Sequence, residues 1–292
     1  MITFFTYSGD ILDRAFYSKG LSDVIRAQIR DLDRVCGKNE PLCMKLNWDM
    51  LEVRPADEVN DLLWYVDGQL AAFLGLYGFG AQPEEIEITG MVHPDFRRQG
   101  IFTKLFREAV SICRSRGAGR LLLIAERQSL SGAAFARNAG LTYDFSEYRM
   151  ICNGYSPPRA RTGGLSLRPA ADRDTAFLMK LDAACFGSTF PGGYGRELTH
   201  IYVAALDGRD IGKIGLCDEN GLGYVFGVCI LPEFQGRGYG RAMLDAILQK
   251  HFDASGAAAI LEVAVKNGGA LSLYKACGFS ELTIYDYFEL KL

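Results

Sequence analysis

The sequence predicts two domains of one α/β fold, each a twisted mixed β-sheet flanked by helices. Three observations predict it. At 292 residues the chain exceeds one ordinary domain. The stretch "NGYSPPRARTGG" (Asn153 to Gly164) is rich in Pro, Gly and Arg and breaks helix and strand alike. The same order of signals recurs on either side of it. The expected boundaries are therefore a first domain over 1–151, a linker over 152–164 and a second domain over 165–292.

Each half opens its sheet with a hairpin. "LLWYVDGQLAAFLGLY" places two apolar runs around Asp67-Gly68, and "IYVAALDGRDIGKIGLC" does the same around Asp207-Gly208. Asp-Gly supplies the positive φ angles of a tight turn. A further strand in each half ends at a proline, Pro94 and Pro232, which removes a ladder donor. A glycine-containing loop and a helix follow. Ile101, Leu105 and Ala109 carry the helical spacing in the first half, and Leu244, Leu248 and Phe252 in the second. Then come a strand ("RLLLIAE", "AILEVAV"), a short helix, a glycine and a closing strand. From Pro94 to Gly140 and from Pro232 to Gly278 the two halves align without a gap, at a constant offset of 138. Phe96 then matches Phe234, and Gly100 matches Gly238.

Composition excludes several classes. The chain is 49% hydrophobic, which supports packed cores. No apolar run reaches the roughly 18 to 20 residues that span a bilayer. "MITFFTYSGDILDR" lacks a basic start and a cleavable apolar segment, so no signal peptide is expected. With a formal net charge of -3 and scattered basic residues, a nucleic-acid-tracking surface is disfavoured. The eight cysteines include no Cys-x-x-Cys pair, and there are three histidines, so zinc spacing is absent and no metal is expected. Reduced thiols in a cytoplasmic protein are the expectation.

"LPEFQGRGYGRAML" (Leu231 to Leu244) sets Gly236, Gly238 and Gly240 where a strand hands over to a helix. The first turn of a helix offers unpaired N–H groups and the positive end of its dipole. Without side chains in the way, a phosphate can reach those amides, and Arg237 and Arg241 add positive charge. A diphosphate-bearing cofactor is the expected ligand; a tight packing turn is the alternative. The spacing is neither the ATP-binding loop, since no Lys-Ser/Thr follows, nor the Gly-x-Gly-x-x-Gly of a dinucleotide fold.

These residues resemble the GCN5-related N-acetyltransferases (GNAT). "QGRGYG" (Gln235 to Gly240) after "CILP" is similar to that family's coenzyme A pyrophosphate loop, Gln/Arg-x-x-Gly-x-Gly/Ala. "LEVAVKNGGALSLYKACGF" (Leu261 to Phe279) is similar to its second motif: a strand, Asn267, a helix bearing Tyr274, then Gly278-Phe279. "LSLRPAADRDTAFLMKLDAACF" resembles the family's first strand and helix, so the likeness covers nearly all of 165–292. The first half resembles the family more loosely. "RRQGIF" keeps Arg97, Gln99 and Gly100, but Phe102 stands where Gly240 stands, Ser129 where Asn267 stands and Ala136 where Tyr274 stands. The first half is therefore expected to be a degenerate copy without catalysis, which either still binds coenzyme through its backbone amides or serves as a scaffold that shapes the substrate cleft.

The resemblance implies direct transfer of an acyl group, most simply from acetyl-CoA or another acyl-CoA to a primary amine, with catalysis in the second domain. It implies that the amides of Gly236, Arg237, Gly238, Tyr239, Gly240 and Arg241, behind Gln235, hold the pyrophosphate. Val228, Cys229 and Ile230 would run beside the pantetheine arm, and Asn267 would reach the coenzyme by its amide. A backbone N–H around Ile230 would polarise the carbonyl. Tyr274 would give a proton to the leaving thiolate, core packing being the alternative.

Many relatives keep a glutamate on the strand before the glycine loop; "GYVFGVCILP" has none. Glu262 on the next strand is the candidate base, with pairing to a Lys or Arg as the alternative. The order "LEV", Asn, Tyr resembles the branch that acetylates ribosomal protein N-termini. Asp218 and Glu219 are candidates for binding a cationic substrate. Cys229 and Cys277 lack a histidine at a recognisable spacing, so a covalent role is not expected.

Three readings of function remain at this point. One is an amine acyltransferase acting on a small molecule or a peptide. Another is a non-catalytic acyl-CoA sensor. In the third, architecture alone resembles mycothiol synthase and suggests a small-molecule amine. "GSTFPGGYGRE" (Gly187 to Glu197) is expected to form a lid over the cleft. A homodimer stays open.

Overall fold

The structure, a computed structural model, describes residues 2–8, 11–78, 84–155, 164–187, 194–219 and 221–292. The chain forms two compact units, residues 1–146 with 285–292, and residues 147–284.

The first unit runs β1 (Ile2–Ser8), β2 (Ile11–Ser18), α1 (Asp23–Asn39), α2 (Trp48–Glu52), β3 (Asp61–Val66), β4 (Gln69–Gly78), β5 (Glu85–Val92), α3 (Ile101–Ser115), β6 (Arg120–Glu126), α4 (Leu130–Asn138) and the start of β7 (Thr142–Cys152). Its sheet is antiparallel from β1 to β5, and β5 then pairs β6 in parallel. Asp67 takes φ 47° and Gly68 φ 84°, the hairpin turn expected of Asp-Gly. One face packs α3 through Ile101, Leu105, Phe106, Ala109 and Cys113, a 3–4 spacing that puts these side chains on one stripe. The other packs α1 through Ile29, Leu32 and Cys36.

The second unit runs from the end of β7 through β8 (Leu165–Pro169), α5 (Thr175–Phe186), β9 (Ile201–Leu206), β10 (Arg209–Glu219), β11 (Leu222–Ile230), α6 (Tyr239–Ser255), β12 (Ala259–Ala264) and α7 (Gly268–Ala276) into β13 (Ser280–Lys291). β8 to β11 are antiparallel in chain order, and β11 pairs β12 in parallel. Met243, Leu244, Ile247 and Leu248 of α6 fill the core with Val225, Leu261, Val263 and Tyr274. The fold expected from the sequence, α/β with mixed sheet flanked by helices in each unit, is the fold observed.

The units exchange strand ends relative to the sequence boundary. Residues 147–152 of β7 pair antiparallel with β12, and Met150 and Cys152 are fully buried in the second core. Residues 285–291 of β13 pair antiparallel with β6, and buried Tyr285 and Tyr287 pack with Leu122 and Ile124. The reason is local. Both segments alternate inward and outward residues, so either fits an open edge beside a parallel strand. Residues 156–163 of the expected linker, and 188–193 of the expected lid, lie outside the described residues.

Candidate active site

The site of the second unit begins with a bulge. Gly215 pairs with Phe226, but Lys213 pairs with Cys229, so β11 carries one extra residue opposite Ile214. Gly227 takes φ 57° there, a conformation that glycine enters without cost. The bulge turns the strand just where the pantetheine arm is expected, at Val228 to Ile230. An isolated glycine inside a strand pattern is the signal that could have revealed it.

β11 then leaves its parallel neighbour. It pairs β12 only at Gly223–Ala259, Tyr224–Ile260 and Val225–Leu261. Beyond Val225 the two strands part, leaving a slot flanked by Val228, Cys229 and Ile230.

The loop closes this slot. Gln235 Nε2 donates to the Ile230 carbonyl at 2.8 Å, which ties the loop to the strand end. Gly236 and Gly238 take φ 73° and 86°, and Gly238 is the N-cap of α6. Among the described residues no backbone hydrogen bond engages the N–H groups of 236–241. Gly240 differs from the other two, because its φ is ordinary and a Cβ there would meet only Leu273 Cδ2 at 3.6 Å. Neither strain nor packing demands glycine at 240; the open space beside it does. Arg237 is exposed, and Arg241 Nη2 donates to the Ala276 carbonyl at 3.2 Å.

Tyr274 sits on α7, 7% exposed, packed at 6.1 Å from Phe279 in an edge-on contact. No partner for its hydroxyl occurs among the described residues. Burial pushes its phenol up to about 12, and the Cys229 and Cys277 thiols beside it act in the same direction. The group is thus a protonated acid throughout the neutral range, adjacent to the slot strand. Asn267 caps α7, accepting from Ala270 N–H at 3.2 Å through Oδ1. Its side-chain NH₂ is the part left for a ligand.

Glu262 lies on the opposite face of β12 from Leu261 and Val263, which pack with Tyr274. Arg149 Nη1 donates to Glu262 Oε1 at 3.1 Å, and Nη2 to Glu219 Oε1 at 2.5 Å. The pairing alternative for Glu262 is therefore realised. Glu219 is engaged by the same arginine, and exposed Asp218 accepts from Gly221 N–H at 3.1 Å through Oδ1. Cys229 is buried, with Cys185 beside it, and burial raises its thiol. Cys277 is pushed up to about 12 by burial and by Asp245. Both are kept as thiols, poor nucleophiles.

Sequence reading missed a buried ionic group. Lys213 Nζ meets Asp182 Oδ1 at 2.5 Å and donates to Tyr194 Oη at 2.8 Å, and Tyr194 also donates to Asp182. Lys213 stands opposite Cys229 in the ladder, at the bulge. The available signal was one lysine inside the apolar run "IGKIGLC".

The first unit repeats the frame with different contents. β5 pairs β6 from Glu85–Arg120 to Ile88–Leu123 and then parts from it, but the β4–β5 register has no bulge. Arg97 Nε donates to the Val92 carbonyl at 3.0 Å, the equivalent of the Gln235 bond. Arg98 and Gly100 take φ 64° and 77°, so the loop has the same backbone course. Ser129 caps α4 as Asn267 caps α7. Ala136 is fully buried where Tyr274 would stand, so this unit has no equivalent acid.

The sequence model of the Acetyltransferase (GNAT) family matches twice, over residues 27–140 and 175–279. The chain belongs to that family, in tandem form, and is an enzyme of the N-acetyltransferase class. It is similar to the [ribosomal protein bS18]-alanine N-acetyltransferase of Salmonella typhimurium, 29% identical over 126 residues, which is 41% of this chain and 82% of that one. The Escherichia coli protein of the same description is 35% identical over 60 residues, 20% of this chain and 40% of its own length. In fold the chain is similar to a GCN5-related N-acetyltransferase from Sphaerobacter thermophilus, TM-score 0.80 at 18% identity, covering 98% of this chain and 97% of that one. It is also similar to a tandem GNAT protein from the clavulanic acid biosynthesis pathway, TM-score 0.72 at 17% identity, covering 96% and 98%. No described helix is long and apolar enough to cross a membrane.

Proposed function

We propose that the chain transfers an acyl group, in the simplest case acetyl, from acyl-CoA to a primary amine, and that the second unit is the catalytic one. The observation that carries this reading is Tyr274. Its protonated hydroxyl, on a side chain that is 7% exposed, has no hydrogen-bond partner among the described residues and lies beside a strand that has left its neighbour. The first unit has the frame without the acid.

The residues fit the coenzyme by their donor chemistry. The unengaged amides of 236–241, with Arg237 and Arg241 nearby, suit a diphosphate. Val228 to Ile230, freed from β12, offer main-chain groups to the amide-bearing arm, and a backbone N–H of this bulged segment would face the carbonyl oxygen as it gains charge. Bound acyl-CoA supplies an activated thioester.

The amine nitrogen forms the new C–N bond as the C–S bond breaks. Tyr274 gives its proton to the departing sulfur. The proton lost by the amine passes to water, or to Glu262 if that carboxylate accepts it while paired with Arg149. The acceptor is an amine on a small molecule or a peptide, and the bS18-alanine relatives support the peptide class. Eight free cysteines support a cytoplasmic setting. The test is release of free thiol from acetyl-CoA by the full chain against an amine panel that includes alanine-terminated peptides.

A further inference from the structure

The first unit holds a cavity of about 490 Å³ at its copy of the slot, lined among others by Gly90, Met91, Phe102, Glu126, Ser129 and Phe135. Its strands part as those of the second unit do, and its loop follows the same backbone course. Arg98 even keeps a left-handed φ of 64° without being glycine. What differs is the filling. Phe102 stands at the Gly240 position, and its ring meets Phe135 edge-on at 4.8 Å, with Phe106 on the other side of Phe135 at 5.3 Å. Phe135 is the counterpart of Leu273, the residue nearest the open space beside Gly240.

The strand beneath has changed with it. Gly90 stands opposite Leu74, at the place where the bulged pair Gly227 and Val228 stands opposite Ile214 in the second unit, and a Cβ at 90 would lie 2.8 Å from Phe102 Cε2 and 2.5 Å from the Phe73 carbonyl oxygen. The ring therefore rests on the bare backbone of β5. In the second unit the bulge and Gly240 keep the corresponding place clear for a ligand running along the strand. The helix position differs in size, glycine at 240 against phenylalanine at 102, and the strand beneath it carries a bulge in one unit and none in the other.

We propose that Phe102 is a plug seated on Gly90, which blocks the path of a pantetheine-bearing diphosphate between α3 and β5, while the rest of the cavity beside it stays open. Each chain then binds one coenzyme, in the second unit, and the first unit retains a latent site. This rests on the reading of the second unit as the coenzyme site. The plug is an intramolecular stand-in for the ligand: it covers the strand edge left bare where β5 and β6 part, which explains how the frame persists without a coenzyme.

Counting acetyl-CoA sites on the full chain by titration calorimetry tests it. The wild-type chain is expected to bind one equivalent. Gly240→Phe, which carries the plug into the second unit, is expected to bind none. Phe102→Ala is expected to bind two, with no gain in turnover because Ala136 supplies no acid. Phe102→Ala combined with Gly240→Phe is expected to bind one. Two sites on the wild-type chain overturn the plug whether or not the variants fold, and so does one site on a Phe102→Ala chain whose melting is still cooperative. A wild-type count of zero would instead overturn the assignment of the second unit, and the single-site claim with it.

Discussion

Arg149 and Glu262 stand directly opposite each other on β7 and β12, and the guanidinium donates to the carboxylate at 3.1 Å. The same guanidinium holds Glu219 at 2.5 Å. A glutamine at 262 would still accept from Arg149 but could take no proton. If Glu262 takes the proton, Glu262→Gln is expected to lower turnover by roughly 100-fold. Unchanged turnover in Glu262→Gln would assign proton removal to water.

Removing Arg149 tests the other half of this relationship. All three side chains are mostly shielded, so Arg149→Met leaves two carboxylates facing each other without their cation. The expected loss is about 3 kcal/mol of unfolding free energy, read by denaturant titration. A loss below about 0.5 kcal/mol would mean that the pair is solvated, as an exposed pair is.

Lys213 and Asp182 are 4% and 2% exposed at the side chain, and each is the other's counterion. Lys213→Met is expected to cost about 3 to 5 kcal/mol, because it strands a buried carboxylate. Adding Asp182→Leu is expected to restore part of that loss. If the two losses simply add, the pair is not coupled.

The glycines of the loop are expected to differ. Gly238 sits at φ 86°, so Gly238→Ala strains the backbone by about 1 kcal/mol and lowers Tm by roughly 2 to 4 °C. Gly240 has an ordinary φ and room for a Cβ, so Gly240→Ala is expected to leave Tm within about 1 °C. Equal shifts at both positions would remove the distinction between a backbone glycine and a clearance glycine.

The exchanged strand ends predict fragment behaviour. Residues 165–292 lack Met150 and Cys152 from the second core, whereas 147–284 include them. The longer-cored fragment 147–284 is expected to melt cooperatively and 165–292 not to, by circular dichroism. Cooperative melting of both would show that the 147–152 segment is dispensable.

Much of this was legible in the sequence, for physical reasons. Asp-Gly turns, strand-ending prolines and the gapless 138-residue offset are local and strong, and they gave the two sheets. Gln235, Gly236 and Gly238 are constrained by backbone geometry, so their residue types announce the loop. The rest depends on contacts distant in sequence. Nothing in "YRMIC" says that its strand completes the second sheet, since an alternating strand fits either open edge. The Gly227 bulge needed the register of β10 to be seen. Lys213 finds its counterion only when α5 brings Asp182 to it. Phe102 was visible as a departure at 102, but its seat on Gly90 appears only when α3 and β5 are brought together.

The central claim is that Tyr274 acts as the acid in the second unit. Its phenol, pushed up to about 12, is competent below that value and lost only above it, so no fall in activity from its ionisation is expected below about pH 11. The most direct test is steady-state release of free thiol from acetyl-CoA, with an accepted amine, by the wild-type chain and Tyr274→Phe. In Tyr274→Phe kcat is expected to fall by about 100-fold or more while the KM for acetyl-CoA and Tm stay within about twofold and 2 °C. Unchanged kcat in Tyr274→Phe would contradict it and return Tyr274 to a packing role.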